Sequence, residues 1–428
     1  MQSTLKIIIF CRVIDNYGDV GVCLRLARGL IDRACRVTLV TDRPDLAAHM
    51  DPAAEVAVVS WDAVAAPPEQ FHLTEDLLVV EAFQVTPPPS VLRACPPKLR
   101  RVCLDYLATE TWAESLQGMP APDPAFPKHS RFWMAPSFSS RGPGLIRGRW
   151  QEIDEEARLA MRRRLMSVRP DGTASALSDA CGNRADDGRM GIFPAGEFDT
   201  SRVFLIFAFG YDDAPWSVLS EAIERQGLPE GFDRVCFVKP SGLAYSHVEF
   251  DAVLQSCDLN FVRGEDSFVR AHFAAAGRWR VPFVWQPYRQ DGDAHQQKLQ
   301  AWQQFILQGN GGLAPPAQLA RAERAGQAQP YWNAWLGVES FFNPLGLSAT
   351  GGQDAVTAGD QRRTSDSDPG NASAYIAEDD FSVCWALLIT RWAVFTPSFS
   401  RACQRLVGDR AMEDSLLFTA QKEIRQSV

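Results

Sequence analysis

The sequence predicts an α/β protein of two domains, each built on a doubly wound parallel sheet, facing one another across a cleft. Three observations carry that reading. Apolar strand-like runs alternate with helix-patterned segments through both halves of the chain; a polar, glycine-rich stretch at 167–200 separates the halves; and each half holds a strand that breaks into a charged turn and restarts as a helix. With 428 residues, 46% of them hydrophobic, there is enough apolar material for two cores of ordinary size.

The first half opens on a strand from Lys6 to Val13, followed by an amphipathic helix from Val20 to Ala34. Further strands are expected at Arg36 to Thr41, Glu55 to Ser60, Leu77 to Phe83 and Arg101 to Leu107. After Phe132-Trp133-Met134 and the loop Arg141-Gly142-Pro143-Gly144 comes a charged helix from about Trp150 to Met166, whose run Arg162-Arg163-Arg164 reads as a solvated face. The α/β rhythm resumes with a strand at Val203 to Phe209, a helix at Trp216 to Gln226, a strand at Arg234 to Val238 and a helix at Glu249 to Gln255. Cys257 to Val262 and Val281 to Trp285 supply two more strands, and helical segments rich in Trp, Phe and Leu close the chain from Phe381. A second polar insertion at 346–379 reads as disordered.

The formal net charge is -9 and the pI is near 5.3, which argues against general nucleic-acid binding, because a phosphate backbone is held by basic surfaces. The N-terminus carries no signal-like segment and no apolar run is long enough to span a bilayer, so a cytoplasmic protein without membrane association is expected. The ten cysteines show no CxxC spacing and several sit in apolar strands or helices, so neither disulfides nor structural zinc are expected.

Two strand-to-helix junctions carry the chemistry. In Asn260-Phe261-Val262-Arg263-Gly264-Glu265-Asp266-Ser267, Gly264 permits a sharp turn, Asp266 or Ser267 caps a helix, and the first helical N–H groups with Arg263 suit an anion such as a phosphate. A capped helix with a surface Arg–Glu pair would read the same way, so this segment alone leaves the choice open. The other junction, Ile14-Asp15-Asn16-Tyr17-Gly18-Asp19, lacks GxGxxG and offers two carboxylates instead, suited to a general base or a clamp on a cationic or hydroxylated substrate. Helix capping and an Asx-turn are its bland alternative. An acidic loop on one domain facing an anion-receiving helix start on the other is the layout of a GT-B glycosyltransferase. On that plan residues 1–166 form the acceptor-side domain, 167–200 a linker, 201–400 the nucleotide-sugar domain and 401–428 a helical segment returning to the first domain.

With DNYGD at 15–19, DYLATETW at 105–112, the NFVRGEDSFVRA block at 260–271 and Gln290, His295 and Lys298 beyond it, the chain resembles the EarP family of elongation factor P arginine rhamnosyltransferases. The resemblance implies TDP-β-L-rhamnose as donor, elongation factor P as protein acceptor, and inverting transfer to a guanidinium nitrogen. It implies Asp19 as base or guanidinium activator, Asp15 as a second carboxylate and Glu265 joining from the opposite domain, with Asn16, Tyr17 and Gly18 completing the loop. Donor contacts are implied for Phe207, Phe209, His247, Phe250, Arg263, Gly264, Asp266 and Ser267. The chain departs from the family pattern at Phe209, usually tyrosine, at His247, usually glutamine, and at Ala244, often phenylalanine, where neighbouring Tyr245 offers a ring.

A guanidinium is a poor nucleophile because its lone pairs are delocalised and its pKa lies above roughly 12, so carboxylates that grip the planar fork and take its proton suit the reaction. Arg263 and the helix start would stabilise the leaving diphosphate without a metal. Asp291-Gly292-Asp293 matches a metal-binding DxD pattern, but such acidic triples are common in polar loops and metal independence is expected. Two other readings remain: a GT-B transferase with another nucleotide sugar or a carbohydrate acceptor, and a non-catalytic translation-factor-binding protein.

Overall fold

The computed structural model describes residues 5–14, 17–65, 77–139, 141–166, 199–240, 245–288, 294–307, 330–343, 378–408 and 410–426. Asp15, Asn16, Ala244, Gln290, the Asp291–Asp293 triple and most of the two polar segments at 167–200 and 346–379 lie outside the described residues.

Six parallel strands form the first sheet: β1 (Lys6–Cys11), β2 (Arg36–Thr41), β3 (Ala57–Ser60), β4 (Leu77–Ala82), β5 (Arg100–Leu104) and β6 (Ser130–Met134), in the order β3-β2-β1-β4-β5-β6. Ile7, Ile8, Ile9 and Phe10 are buried on both faces of β1, as a parallel strand covered by helices requires. The helices are α1 (Gly18–Ile31), α2 (Pro44–Met50), α3 (Trp61–Ala65) and α4 (Pro89–Ala94). Leu24, Leu39 and Val80 pack with Ile7 and Ile9 on one face, while Trp61, Val79 and Leu92 pack with Ile8 and Phe10 on the other. Strand order reverses between β1 and β4, so the loops leaving their C-terminal ends border a crevice.

The second sheet has the order β10-β9-β7-β8, all parallel, from β7 (Val203–Ala208), β8 (Arg234–Val238), β9 (Leu259–Arg263) and β10 (Phe283–Gln286). Its helices are α5 (Glu155–Met166), α6 (Trp216–Gln226), α7 (His247–Ser256), α8 (Asp266–Ala276), α9 (Ala294–Leu307), α10 (Pro330–Phe342), α11 (Glu378–Thr390) and α12 (Trp392–Val407). The core here is strongly aromatic: Phe268 stacks on Trp285 with centroids 3.7 Å apart, and Trp302 and Trp335 close around them. Here the switch point falls between β7 and β9, where Phe209 and the Arg263–Glu265 turn emerge. Two such sheets with facing crevices form the GT-B arrangement that the sequence predicts.

Four features differ from the sequence reading. Helix α5 packs on α7, and Leu165 and Met166 enter the second core, so the expected boundary at 166 falls at the far end of a second-domain helix. Arg162 is buried, not solvated: it donates to the carbonyls of Ser256, Thr200 and Val203 and pairs with Asp258 at 2.9 Å, serving peptide groups at the ends of α7 and the start of β7. The expected boundary at 400–401 cuts through α12, which packs on α8. The chain crosses back only after Gly408, at φ +53°, so that α13 (Met412–Gln426) places Met412 and Leu416 in the first core. Finally, Cys236 is disulfide-bonded, against the expectation of none, with no spacing motif to signal it; the other described cysteines are free.

Candidate active site

The first-domain side of the cleft is built by the chain between β1 and α1. Asp19 stands in the first turn of α1, where the helix dipole favours a carboxylate, and only 2% of it is exposed. Its Oδ2 accepts from the Ile14 amide at 2.7 Å, which folds the loop back over the helix start. Its Oδ1 lies 3.4 Å from the Tyr106 hydroxyl, longer than a strong O–H···O bond. Ile14 and Tyr17 present exposed apolar surface on either side of the undescribed Asp15 and Asn16. Tyr106 follows β5 and is stacked on Phe83, with centroids 4.4 Å apart. Burial, then the charges of Asp19 and Glu265, hold its phenol well above the ordinary tyrosine range, so it keeps its proton and donates a hydrogen bond to Asp19.

Glu265 enters from the second domain. Gly264 precedes it at φ +64°, a conformation that favours glycine, and open space surrounds the position of a Cβ. Glu265 is the N-cap residue of α8, so the helix starts one residue earlier than a cap at Asp266 implies and two earlier than a cap at Ser267. Its Oε2 accepts from the Leu107 amide of the first domain at 2.9 Å and its Oε1 pairs with Lys298 Nζ at 2.5 Å. Thr109 Oγ1 donates to the Lys298 carbonyl at 3.0 Å, so the loop after β5 is tied twice to the second domain.

Arg263 rests against aromatic rings, 5.0 Å from the Phe209 centroid and 5.1 Å from that of Tyr211. Among the described residues it has no ion pair, which leaves its charge available to an anion. Ser267 does not cap α8: its hydroxyl accepts from the Arg263 amide at 3.1 Å and donates to the Arg263 carbonyl, closing the turn on itself. Phe209 and Phe250 are partly exposed and meet edge-to-face at 5.6 Å. Phe207 is fully buried behind them, stacked at 5.8 Å on Phe209, so it supports the platform without reaching solvent. The Tyr245 ring adds an edge contact to Phe207 at 6.5 Å.

Asp266 and His247 are each held by an arginine of the first domain. Asp266 pairs with Arg25 of α1 at 2.7 Å. His247 Nδ1 lies 3.0 Å from Arg28 Nη1 and, since arginine only donates, accepts from it. Burial, then the guanidiniums of Arg25, Arg28 and Arg270, push the His247 pKa well below the usual range and keep the ring neutral.

Sequence reasoning placed Tyr106 in a motif without giving it a role, and missed Arg25 and Arg28. The signal for the arginines was available: both interrupt the apolar run of α1 on its buried side. Among the described residues no three His, Cys, Asp or Glu side chains converge as metal ligands, and no helix is long and apolar enough to cross a membrane.

Comparison with known proteins agrees with the family resemblance read from the sequence. The family model of the elongation factor P (EF-P) rhamnosyltransferase EarP matches residues 7–226 and 243–356, most of the chain. A protein-arginine rhamnosyltransferase of Pseudomonas aeruginosa is 30% identical over 76% of this chain and 86% of its own length. Its counterpart in Pseudomonas putida is 29% identical over 76% and 85%. A solved structure reporting the structural basis for EarP-mediated arginine glycosylation of translation elongation factor EF-P is 17% identical over 97% of this chain and 99% of its own, with a TM-score of 0.45.

Proposed function

Because the chain belongs to the EarP family, we propose that it moves rhamnose from TDP-β-L-rhamnose to a guanidinium nitrogen of one arginine in elongation factor P, with inversion at the sugar carbon. The family carries the coarser activity, rhamnosyl transfer to a protein arginine. One observation supports the finer reading most: the two helix starts that border the cleft differ in charge, with the Asp19 carboxylate in the first turn of α1 and an arginine without an ion pair among the described residues beside α8.

In the proposed reaction the acceptor guanidinium lies against Asp19, with Glu265 and Asp15 completing an acidic face. Charge-assisted hydrogen bonds localise electron density on one nitrogen. That nitrogen attacks the anomeric carbon, the bond from that carbon to the diphosphate oxygen breaks, and the proton displaced from nitrogen passes to Asp19. The departing TDP carries the electron pair. Arg263 and the first amides of α8 meet its charge, so the step is proposed to need no metal. Phe209 and Phe250 offer an aromatic platform for the thymine or sugar. A translation factor as acceptor places the reaction in the cytoplasm.

Intact-mass measurement of elongation factor P after incubation with this protein and a panel of nucleotide sugars tests the reading. One deoxyhexose added only with TDP-rhamnose is expected; transfer of another sugar, or none, would contradict it.

A further inference from the structure

We infer that Arg25 and Asp266 are positioning residues, a buried latch that fixes the helix carrying Asp19 against the helix that receives the donor. This rests on the transfer proposed above and goes beyond the donor-binding role that resemblance implies for Asp266 and His247.

Arg25 lies on α1 six residues after Asp19, roughly 9 Å along the helix at 1.5 Å per residue. Its side chain is 4% exposed. The guanidinium spans two second-domain helices, with Nε 2.7 Å from Asp266 Oδ1 on α8 and Nη1 3.2 Å from Asp251 Oδ2 on α7. Asp251 is itself gripped by Arg270 of α8 through two bonds, at 3.0 and 2.6 Å, and Arg270 also donates to the Arg147 carbonyl. One turn further along α1, Arg28 pairs with Asp51 at 2.7 Å and donates to His247 at the start of α7. The two helices lie close: the Cβ that Gly21 lacks would stand 3.4 Å from His247 Nε2 and 3.7 Å from the Asp266 carboxylate. A first-domain helix is thus keyed at two levels to the second domain, by contacts 219 to 241 residues apart in the chain.

Buried ion pairs contribute little net stability, because desolvation offsets their attraction; their better-attested use is to fix a register. A planar guanidinium suits that use, since its donors have fixed directions. Asp266 directly follows Glu265 and directly precedes Ser267. Any shift of the Arg25–Asp266 pair therefore moves the acidic face relative to the anion site, and a misplacement of about 1 Å can cost about 10²-fold in rate.

The test uses Asp266→Asn and Arg25→Lys in the full chain, with kcat measured at saturating donor and TDP affinity measured by calorimetry. Asp266 is partly exposed, so its asparagine variant keeps the test available if Arg25→Lys fails to fold. Each variant is expected to lower kcat about 10-fold or more while the TDP Kd stays within about twofold. The double variant should lose no more than the worse single one, because both residues serve one contact. Weakened TDP binding with unchanged kcat in Asp266→Asn would make it a donor ligand and overturn the latch; unchanged kcat and Kd would reduce it to a packing contact. If the wild-type protein transfers no sugar, the proposed function fails by itself, and the latch is then read by hydrogen exchange. Asp266→Asn must speed exchange in α1 across the domain boundary, and unchanged exchange there overturns the latch.

Discussion

The starts of α1 and α8 occupy equivalent places, each leaving a strand beside the switch point of its sheet, yet their charges are handled in opposite ways. At α1, the Asp19 carboxylate accepts from the Ile14 amide and faces the Tyr106 phenol, in the first helical turn where the dipole favours a negative charge. At α8, both carboxylates are matched by cations, Glu265 by Lys298 and Asp266 by Arg25, while Arg263 stands against rings. The same local fold thus presents an anion on one wall and a cation on the other. An enzyme that joins a cationic acceptor to an anionic donor needs that asymmetry, and a symmetric pair of phosphate cradles would not supply it.

The comparison breaks most visibly at Asp19. Asp19→Asn keeps shape and removes charge, and it is expected to lower transfer by about 10²- to 10⁴-fold, the range for losing a general base. TDP affinity should stay within about twofold, because the donor belongs to the other wall. Parallel loss of donor binding, read by calorimetry, would show that the two walls are not separate.

Arg263→Ala probes the opposite wall. A charge-assisted contact to phosphate is worth about 1.5–3 kcal/mol, so the Kd for TDP and for TDP-rhamnose should rise roughly 10- to 100-fold together. Loss confined to TDP-rhamnose would move Arg263 from the diphosphate to the sugar.

These walls were unequally legible in the sequence. Runs such as Ile7 to Phe10 and Val203 to Phe209 are long, apolar and β-branched or aromatic, so the strands were readable, and both turns announced themselves through residues next to one another in the chain. What was not readable depends on distance. Glu265 meets Leu107 across 158 residues and Asp266 meets Arg25 across 241, and no local pattern specifies either pairing. The same limit explains Arg162, whose run of three arginines has the composition of a solvated face while one member reaches carbonyls on two other elements. The family resemblance groups Asp266 and His247 with the donor contacts; the arginines that meet them in space lie on α1.

Tyr106→Phe sharpens the picture of the acidic wall with a smaller effect. Removing one weak hydrogen bond to a carboxylate is worth about 0.5–1.5 kcal/mol, so kcat should fall roughly 2- to 10-fold with donor affinity unchanged. A fall as large as that of Asp19→Asn would make the phenol, and not the carboxylate, the group that handles the proton.

The smallest effect on catalysis is expected in the second-domain core, where Glu339 is buried and its carboxyl is pushed up from 4.5 to about 8 by burial. Between those values the folded state holds a proton that the unfolded state has lost, so stability falls as pH rises across that window. Glu339→Gln should flatten the dependence of Tm on pH there and raise Tm at the alkaline end, with kcat unchanged. An unaltered Tm profile would show that Glu339 is ionised in the fold.

The central claim, that a retained carboxylate on α1 activates a planar cation, is tested most directly on the acceptor. Elongation factor P with its target arginine replaced by lysine keeps the charge and loses the two-pronged geometry, since an ammonium is a strongly hydrated point charge. Intact-mass spectrometry over a time course with TDP-rhamnose should show one deoxyhexose added to the arginine protein and almost none to the lysine protein. Equal modification of the two would contradict guanidinium activation, whatever the donor proves to be.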